Sequence, residues 1–525
     1  MAMTGGGGEG SAVIARSGPN SVALWRRRPA TVVGWALVGA VLVTGTLGRL
    51  ATSIALGVPV WYPDTASYLE PALAHPWLPF SEVRTAGFPL IVSAGLGLTG
   101  SPLGILLLHN LLWLVSTGAL VLALGGRLRS PWPALLLASY LAFVQKNLAF
   151  ELSGLSEHAA RCLYDLLLAL LVWHWRQLGA GTALGLAALT AANVFVKPTA
   201  VALVPVVLAA LALEPASGRL LGRRRLRLAL VYVLAVGTLL GGYAAAYRQR
   251  FGYWALSAFG GVGLYAHVGH LTDLDGRRYP EVLRELREFM PLFFSKYANS
   301  GVYMGDWLTF GSIKRECERL DFGDRSPREV VTRHARAMPG PETLARKEER
   351  IFTALAVDGI RAHPGGYALH VARSFAKLLV HGIGVAIPLP ADWAASPKHW
   401  RQALASGQAA PGEAGPPSAE GKSSGAAAAA SGLFMDVSEA FTSSLRAAGG
   451  WAAVLGLALA LRRRPWRHPA GMDACTLGAL AAAGLVAYGL LLAMVLVSEP
   501  PRFAANVQDL GVAAVLLVAF APARD

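Results

Sequence analysis

RRRPATVVGWALVGAVLVTGTLG, residues 26–48, decides the class of fold. Three arginines, Arg26, Arg27 and Arg28, precede a run from Ala30 to Gly48 that carries no charge and continues weakly to Val58. About 20 consecutive apolar residues suffice for a helix to cross a hydrocarbon core about 30 Å thick, whereas a cleavable signal has an apolar region of only about 7–15 residues. The run is therefore read as a retained first span, with its amino end held in the cytoplasm by the arginines.

The rest of the chain agrees with that start. Of 525 residues, 54% are hydrophobic and 15% charged, against roughly 25% charged in a soluble domain. A mean hydropathy of +0.45 over this length leaves too few polar residues for a water-facing surface. It excludes a soluble cytosolic enzyme and equally a disordered chain. Cys162, Cys317 and Cys475 contain no CxxC pair and cannot build a disulfide framework. Further apolar segments lie at 101–124, 131–147, 157–176, 179–196, 199–213 and 228–247, and then at 448–461, 472–497 and 507–521. The sequence thus predicts an all-α polytopic membrane protein with about ten transmembrane helices.

Charge placement sets the orientation. Counting from a cytoplasmic start, the inner loops hold Arg16, Arg26–Arg28, Arg127, Arg129, Arg176, Arg219, Arg223–Arg225, Arg227, Arg462–Arg464 and Arg467, with almost no acid. This is the positive-inside pattern, so the net charge of +15 belongs to short cytoplasmic loops and implies no nucleic-acid partner. The chain divides into a disordered cytoplasmic tail at 1–29, an amino-terminal transmembrane module at 30–247 with an outer loop at 59–100, and an extracytoplasmic region at 248–399. A low-complexity linker at 400–432 and a carboxy-terminal transmembrane module at 433–525 follow. Within the extracytoplasmic region, 366–387 reads as an interfacial helix, because His370, Arg373, Lys377 and His381 share one face at helical spacing. No internal repeat of fixed period is evident.

The outer loop begins Trp61-Tyr62-Pro63-Asp64-Thr65-Ala66-Ser67-Tyr68 and continues through Glu70, His75 and Glu82 to Arg84-Thr85-Ala86-Gly87-Phe88-Pro89-Leu90. Asp64 stands before a helix-compatible stretch, where a side-chain cap and a catalytic carboxylate are both open to it. Leu155-Ser156-Glu157 opens the fourth apolar segment, and Glu157 there also suits the helix dipole. Lys197-Pro198-Thr199 and Glu499-Pro500-Pro501-Arg502-Phe503 lie at outer turns, where Lys197 and Arg502 can equally snorkel to head groups and Glu499 can pair with Arg502. Arg49 either snorkels or faces a polar cavity. His267 and His270 are three apart without a third ligand at suitable spacing. Among Trp254, Tyr265, Tyr297, Tyr303 and Trp307, a sugar-binding face and the core of a small domain are both open.

In order, PDxxxYL, RxxGFPL, Ser-Glu at 156–157, Lys-Pro at 197–198, His363-Pro364-Gly365-Gly366-Tyr367 with Arg373, and the turn at 499–503 resemble the GT-C glycosyltransferases. These are integral-membrane enzymes that use polyprenyl-phosphate sugars, including protein O-mannosyltransferases and the aminoarabinose transferases of lipid A. The resemblance covers most of residues 30–390 and 448–521. It implies a GT-C-like bundle with periplasmic and interfacial helices, in the cytoplasmic membrane with its active site outside. The implied activity is inverting transfer of a sugar from a polyprenyl-phosphate donor to an extracytoplasmic acceptor. By the same resemblance Asp64 is the general base; fixed positive charge must stabilise the departing lipid phosphate, and Arg84, Lys197, Arg373 and Arg502, all expected near the outer membrane face, are the candidates for it, with Tyr68, Glu157 and Glu499 as supporting residues. Many relatives carry two adjacent acids where this chain has Asp64-Thr65, which leaves a divalent metal open, and no Walker loop is present. Two other classes compete. A lipid or solute transporter would place charges inside its spans, and a non-catalytic envelope-assembly scaffold would not require Asp64.

Overall fold

The computed structural model describes residues 29–212, 223–298, 326–381 and 396–406, a few single positions apart, with short helical pieces within 429–440. Among the described residues the architecture is all-helical, with an isolated bridge between Val60 and Ser153. In chain order α1 covers Pro29–Leu56, α2 Thr65–Ala74, α3 Gly87–Thr99, α4 Leu103–Leu128, α5 Pro131–Phe143, α6 Gln145–Glu151, α7 Glu157–His174, α8 Ala180–Val196, α9 Leu203–Ala212 and α10 Arg223–Phe251. Three of these, α1, α4 and α10, are long and apolar enough to cross a membrane. The segments expected at 448–461, 472–497 and 507–521 lie outside the described residues, apart from Leu516, which is buried in the core of the bundle.

Local chemistry explains where the helices break. α5 opens on Pro131, whose missing N–H falls where a helix has no acceptor to offer it. The stretch predicted as one span over 131–147 is divided, because Val144 takes an extended backbone and α6 restarts at Gln145. The stretch at 199–213 begins as a 3-10 turn, Pro198–Ala202, before α9. α10 runs beyond the predicted 228–247 at both ends, taking in Arg223 to Arg227 and Arg248 to Phe251.

Leu69, Phe88, Ile105, Leu120, Leu137, Leu186 and Val194 are fully buried in one core that joins α2, α3, α4, α5 and α8. Two close approaches shape it. A Cβ at Gly87 would lie 2.5 Å from the backbone carbonyl carbon of Phe195, so the start of α3 meets the end of α8 with no room for a side chain. Gly87→Ala must push these backbones apart, and overpacking of this kind costs about 1–3 kcal/mol. The expected result is a lower thermal midpoint in detergent, and an unchanged midpoint would show that the junction can relax. The second approach is at Gly48 on α1, where a Cβ would run into the ring of Phe434. That ring fills a pocket with Leu106, Leu148 and Leu152.

A separate helical unit follows, formed by α11 Gly260–Val268, α12 Pro280–Ala298, α13 Pro327–Ala337 and α14 Leu344–Ala362. Its own core contains Val262, Tyr265, Leu286, Val330, Ile351 and Phe352. Ser326 starts α13 with a reciprocal cap, accepting from the Glu329 N–H while the Glu329 carboxylate accepts from its own. Tyr265 is core, its phenol pushed up to about 12 by burial, whereas Trp254 is 59% exposed. Tyr303 and Trp307, and the side chain of Tyr297, lie outside the description.

α15 covers Pro364–His381, starting two residues before the segment read as an interfacial helix and overlapping it as far as His381. One member of the expected basic face departs from that reading. His370 is buried, with its ring 4.7 Å from that of His270, so it faces protein rather than head groups. The side chains of residues 373–381 are outside the description. α16, Ser396–Ser406, occupies the beginning of the stretch expected as linker from 400. Trp400 explains it. This indole is buried and donates from Nε1 to the Pro59 carbonyl at 2.8 Å, an anchor that a flexible linker lacks. Residues 407–428 of that expected linker are not described.

Candidate functional site

The chain leaving α1 is pinned before it reaches Asp64. Val60 donates its N–H to Leu152 O at 2.7 Å and receives Gly154 N–H at 3.0 Å, which ties the loop to the α6–α7 connection. On the other side, Trp61 N–H donates to Ser396 Oγ at 2.9 Å and its ring packs edge-on against Trp400. Thr65 and Ser67 then close the turn. Tyr62 N–H donates to Thr65 Oγ1 at 2.9 Å, and Ser67 Oγ donates to the Asp64 carbonyl at 2.6 Å.

Asp64 occupies the position preceding α2, but its backbone is already helical and its side chain makes no cap bond. A capping carboxylate normally sits on extended backbone. The carboxylate turns instead to Arg84, whose NH2 donates to Oδ1 at 2.7 Å. Arg84 is held on three further sides. Its Nε donates to Ser67 Oγ at 2.9 Å, and its guanidinium lies 4.7 Å from the Tyr68 ring and 4.9 Å from the Phe259 ring. The aromatic faces attract the cation through their quadrupoles. Asp64 keeps a third of its side-chain surface open and Arg84 only 15%.

Tyr68 carries the network inward. Its hydroxyl lies 3.1 Å from Ser156 Oγ, and its ring packs edge-on against Phe88. Burial pushes the phenol above its ordinary range, and the charges of Arg84, Asp64 and Glu157 act on it as well. It is therefore a protonated hydrogen-bonding group at neutral pH. Ser156 is followed by Glu157 at the first position of α7, and Glu157 Oε1 accepts from Lys197 Nζ at 3.2 Å, both side chains buried. The dipole of α7 favours an anion there, but Lys197 is an additional reason for the glutamate.

The structure thus gathers Asp64, Arg84 and Tyr68 into direct contact and joins them through Ser156 to Glu157 and Lys197. Arg84 and Lys197, expected as phosphate-binding cations, each already carry a carboxylate. Lys197 does not snorkel. Arg373 lies on α15 with its side chain outside the description, and Glu499 and Arg502 lie outside the described residues. Ser67 and Phe259 complete the cradle of Arg84, and sequence reasoning missed both; Ser67, three residues from Asp64 on the same helical turn, was the available signal.

Sequence reasoning also missed a second polar cluster within the bundle. Of the two roles open to Arg49, the side chain takes the inward one. It forms an ion pair with Glu151, both fully buried, and lies 4.3 Å from the Trp113 ring centroid. Its NH2 donates to the carbonyls of Leu141 at 2.9 Å and Ala142 at 3.0 Å. Those carbonyls belong to the last turn of α5, where the break at Val144 removes helical donors. Nearby, His109 Nδ1 lies 2.7 Å from the Glu151 carbonyl, His158 Nε2 lies 3.0 Å from the His109 carbonyl, and Arg161 faces Asp165 at 3.9 Å on α7. The signals were His109-Asn110 inside an apolar run and the four-residue spacing of Arg161 and Asp165.

Chemically, Asp64 offers a solvent-reachable proton acceptor and Arg84 a planar fork suited to a phosphate. Among the described residues no three His, Cys, Asp or Glu side chains are grouped to hold a metal ion. No family model matches the chain, and no curated protein matches it at a significant level of similarity.

Proposed function

We propose that this chain is an inverting glycosyltransferase that moves a sugar from a polyprenyl-phosphate carrier to an acceptor outside the cytoplasmic membrane. In this reading about ten helices cross the bilayer, the amino terminus is cytoplasmic, and the loop at 59–100 lies outside with the helical unit. The acceptor hydroxyl attacks the anomeric carbon, its proton passes to Asp64, and the bond to phosphate oxygen breaks with its electron pair leaving on the lipid phosphate. Arg84 offsets the charge that gathers on that phosphate, a preorganised electrostatic contribution. Ser67 and the rings of Tyr68 and Phe259 hold Arg84 in place.

The observation that carries the reading is the meeting of a solvent-reachable carboxylate with an aromatic-flanked guanidinium twenty residues further along the chain. The test supplies membranes with labelled polyprenyl-phosphate sugars and compares the wild-type chain with Asp64→Asn at equal abundance. Transfer by the wild type that Asp64→Asn abolishes is the expected result; transfer undiminished in Asp64→Asn removes it as the base.

A second reading, a lipid or solute transporter, draws on a separate observation. The pairs Arg49–Glu151 and Arg161–Asp165 are buried among the helices, where transporters place charges. Arg49 is tied to two backbone carbonyls, which favours a structural duty for that pair. Movement of labelled lipid or solute across proteoliposomes, with no covalent transfer, would establish transport instead.

A further inference from the structure

Asp64 and Arg84 present a conflict that the pairing itself exposes. A carboxylate whose oxygen faces a guanidinium at 2.7 Å is a weaker proton acceptor, and the guanidinium has part of its donor fork occupied. The two partners are not equally covered. Arg84 is gripped by Ser67 Oγ at 2.9 Å and by the rings of Tyr68 and Phe259, and it is largely covered. Asp64 makes no cap bond to α2 and is the more exposed partner. An incoming anion would therefore displace the carboxylate and leave the guanidinium where it stands.

We infer that the Asp64–Arg84 pair is an exchangeable latch, in which a lipid phosphate takes over Arg84 and thereby releases Asp64 to accept the proton of the hydroxyl. The inference rests on the glycosyltransferase reading for the identity of the anion. No bond beyond the ion pair changes in this step. It imposes an order on the reaction, since the lipid phosphate enters first and the acceptor is activated only afterwards. It also lowers apparent affinity for the phosphate, because the competent state is only the fraction in which Arg84 is open.

The test is a binding measurement on the full chain in nanodiscs, with undecaprenyl phosphate and uncharged undecaprenol as the two probes. Asp64→Ala removes the competitor and is expected to bind undecaprenyl phosphate about threefold to tenfold more tightly than the wild type, and Asp64→Asn, which leaves only a neutral and weaker acceptor for Arg84, to bind it more tightly than the wild type as well. Arg84→Gln is expected to bind it at least about tenfold more weakly, as loss of a charged hydrogen-bond partner does. Undecaprenol should not distinguish any of them. Thermal midpoints in the same nanodiscs check that each variant is folded, and the two Asp64 variants serve as mutual controls. A wild type that prefers the phosphate, with Asp64 variants that bind no more tightly, would overturn the latch and leave the glycosyltransferase reading standing. A wild type that binds both probes alike would overturn both.

Discussion

An Arg49→Ala chain is expected to accumulate at a small fraction of wild-type abundance, and to lose its thermal transition in mild detergent. The substitution strands Glu151 as a buried charge and withdraws the donors that reach the carbonyls of Leu141 and Ala142. Removing one member of a buried pair costs about 3–5 kcal/mol, and each buried acceptor left unmet adds about 1–3 kcal/mol. Against a typical stability of about 5–15 kcal/mol, losses of that size unfold much of the population. Arg49→Lys should not rescue it, because an ammonium is a point charge and cannot serve a carboxylate and two carbonyls in one plane. Size-exclusion profiles of a fluorescently tagged chain measure this directly. Wild-type abundance of Arg49→Ala would show that the pair does not hold α5 and α6 together.

The second large effect is chemical. Asp64→Asn is expected to fold and to retain close to wild-type abundance, since its pair with Arg84 is partly exposed and contributes little to stability. Transfer from a polyprenyl-phosphate sugar should nevertheless fall by about 10²–10⁴-fold, the range for removal of a general base. In barrier terms that is about 3–5 kcal/mol. The amide keeps the shape of the carboxylate and can still accept from Arg84, but it cannot take a proton from the acceptor. Normal abundance with lost transfer would separate an enzyme from a scaffold or a transporter, and transfer within about threefold of wild type would end the role proposed for Asp64.

The contrast between these two residues shows what the sequence made legible. Helix periodicity and apolar length placed α4, α7 and α8 within a few residues, because burial in a bilayer or bundle acts on whole runs of side chains. The helix after Asp64 was legible for the same reason. The direction of the Asp64 carboxylate was not, since the choice between a cap and Arg84 depends on how the loop folds back across twenty positions. Glu151 stood in a short segment with no periodic signal, and its partner lies on α1. Lys197 looked like a span-end cation because its distance from Glu157 along the chain hides a contact of 3.2 Å. Residues that act over long sequence separations are the part that local pattern cannot supply.

The seat of Phe434 against Gly48 has a consequence for biogenesis. The ring that packs against the first helix at Gly48 is synthesised on the order of four hundred residues after the glycine that receives it. At about 5–20 residues per second, the nascent chain waits tens of seconds with that groove vacant. During this interval the notch is open to acyl chains or to other segments of the chain, so ribosome-bound intermediates that end before Phe434 should be more readily cleaved by added protease than those that extend past it.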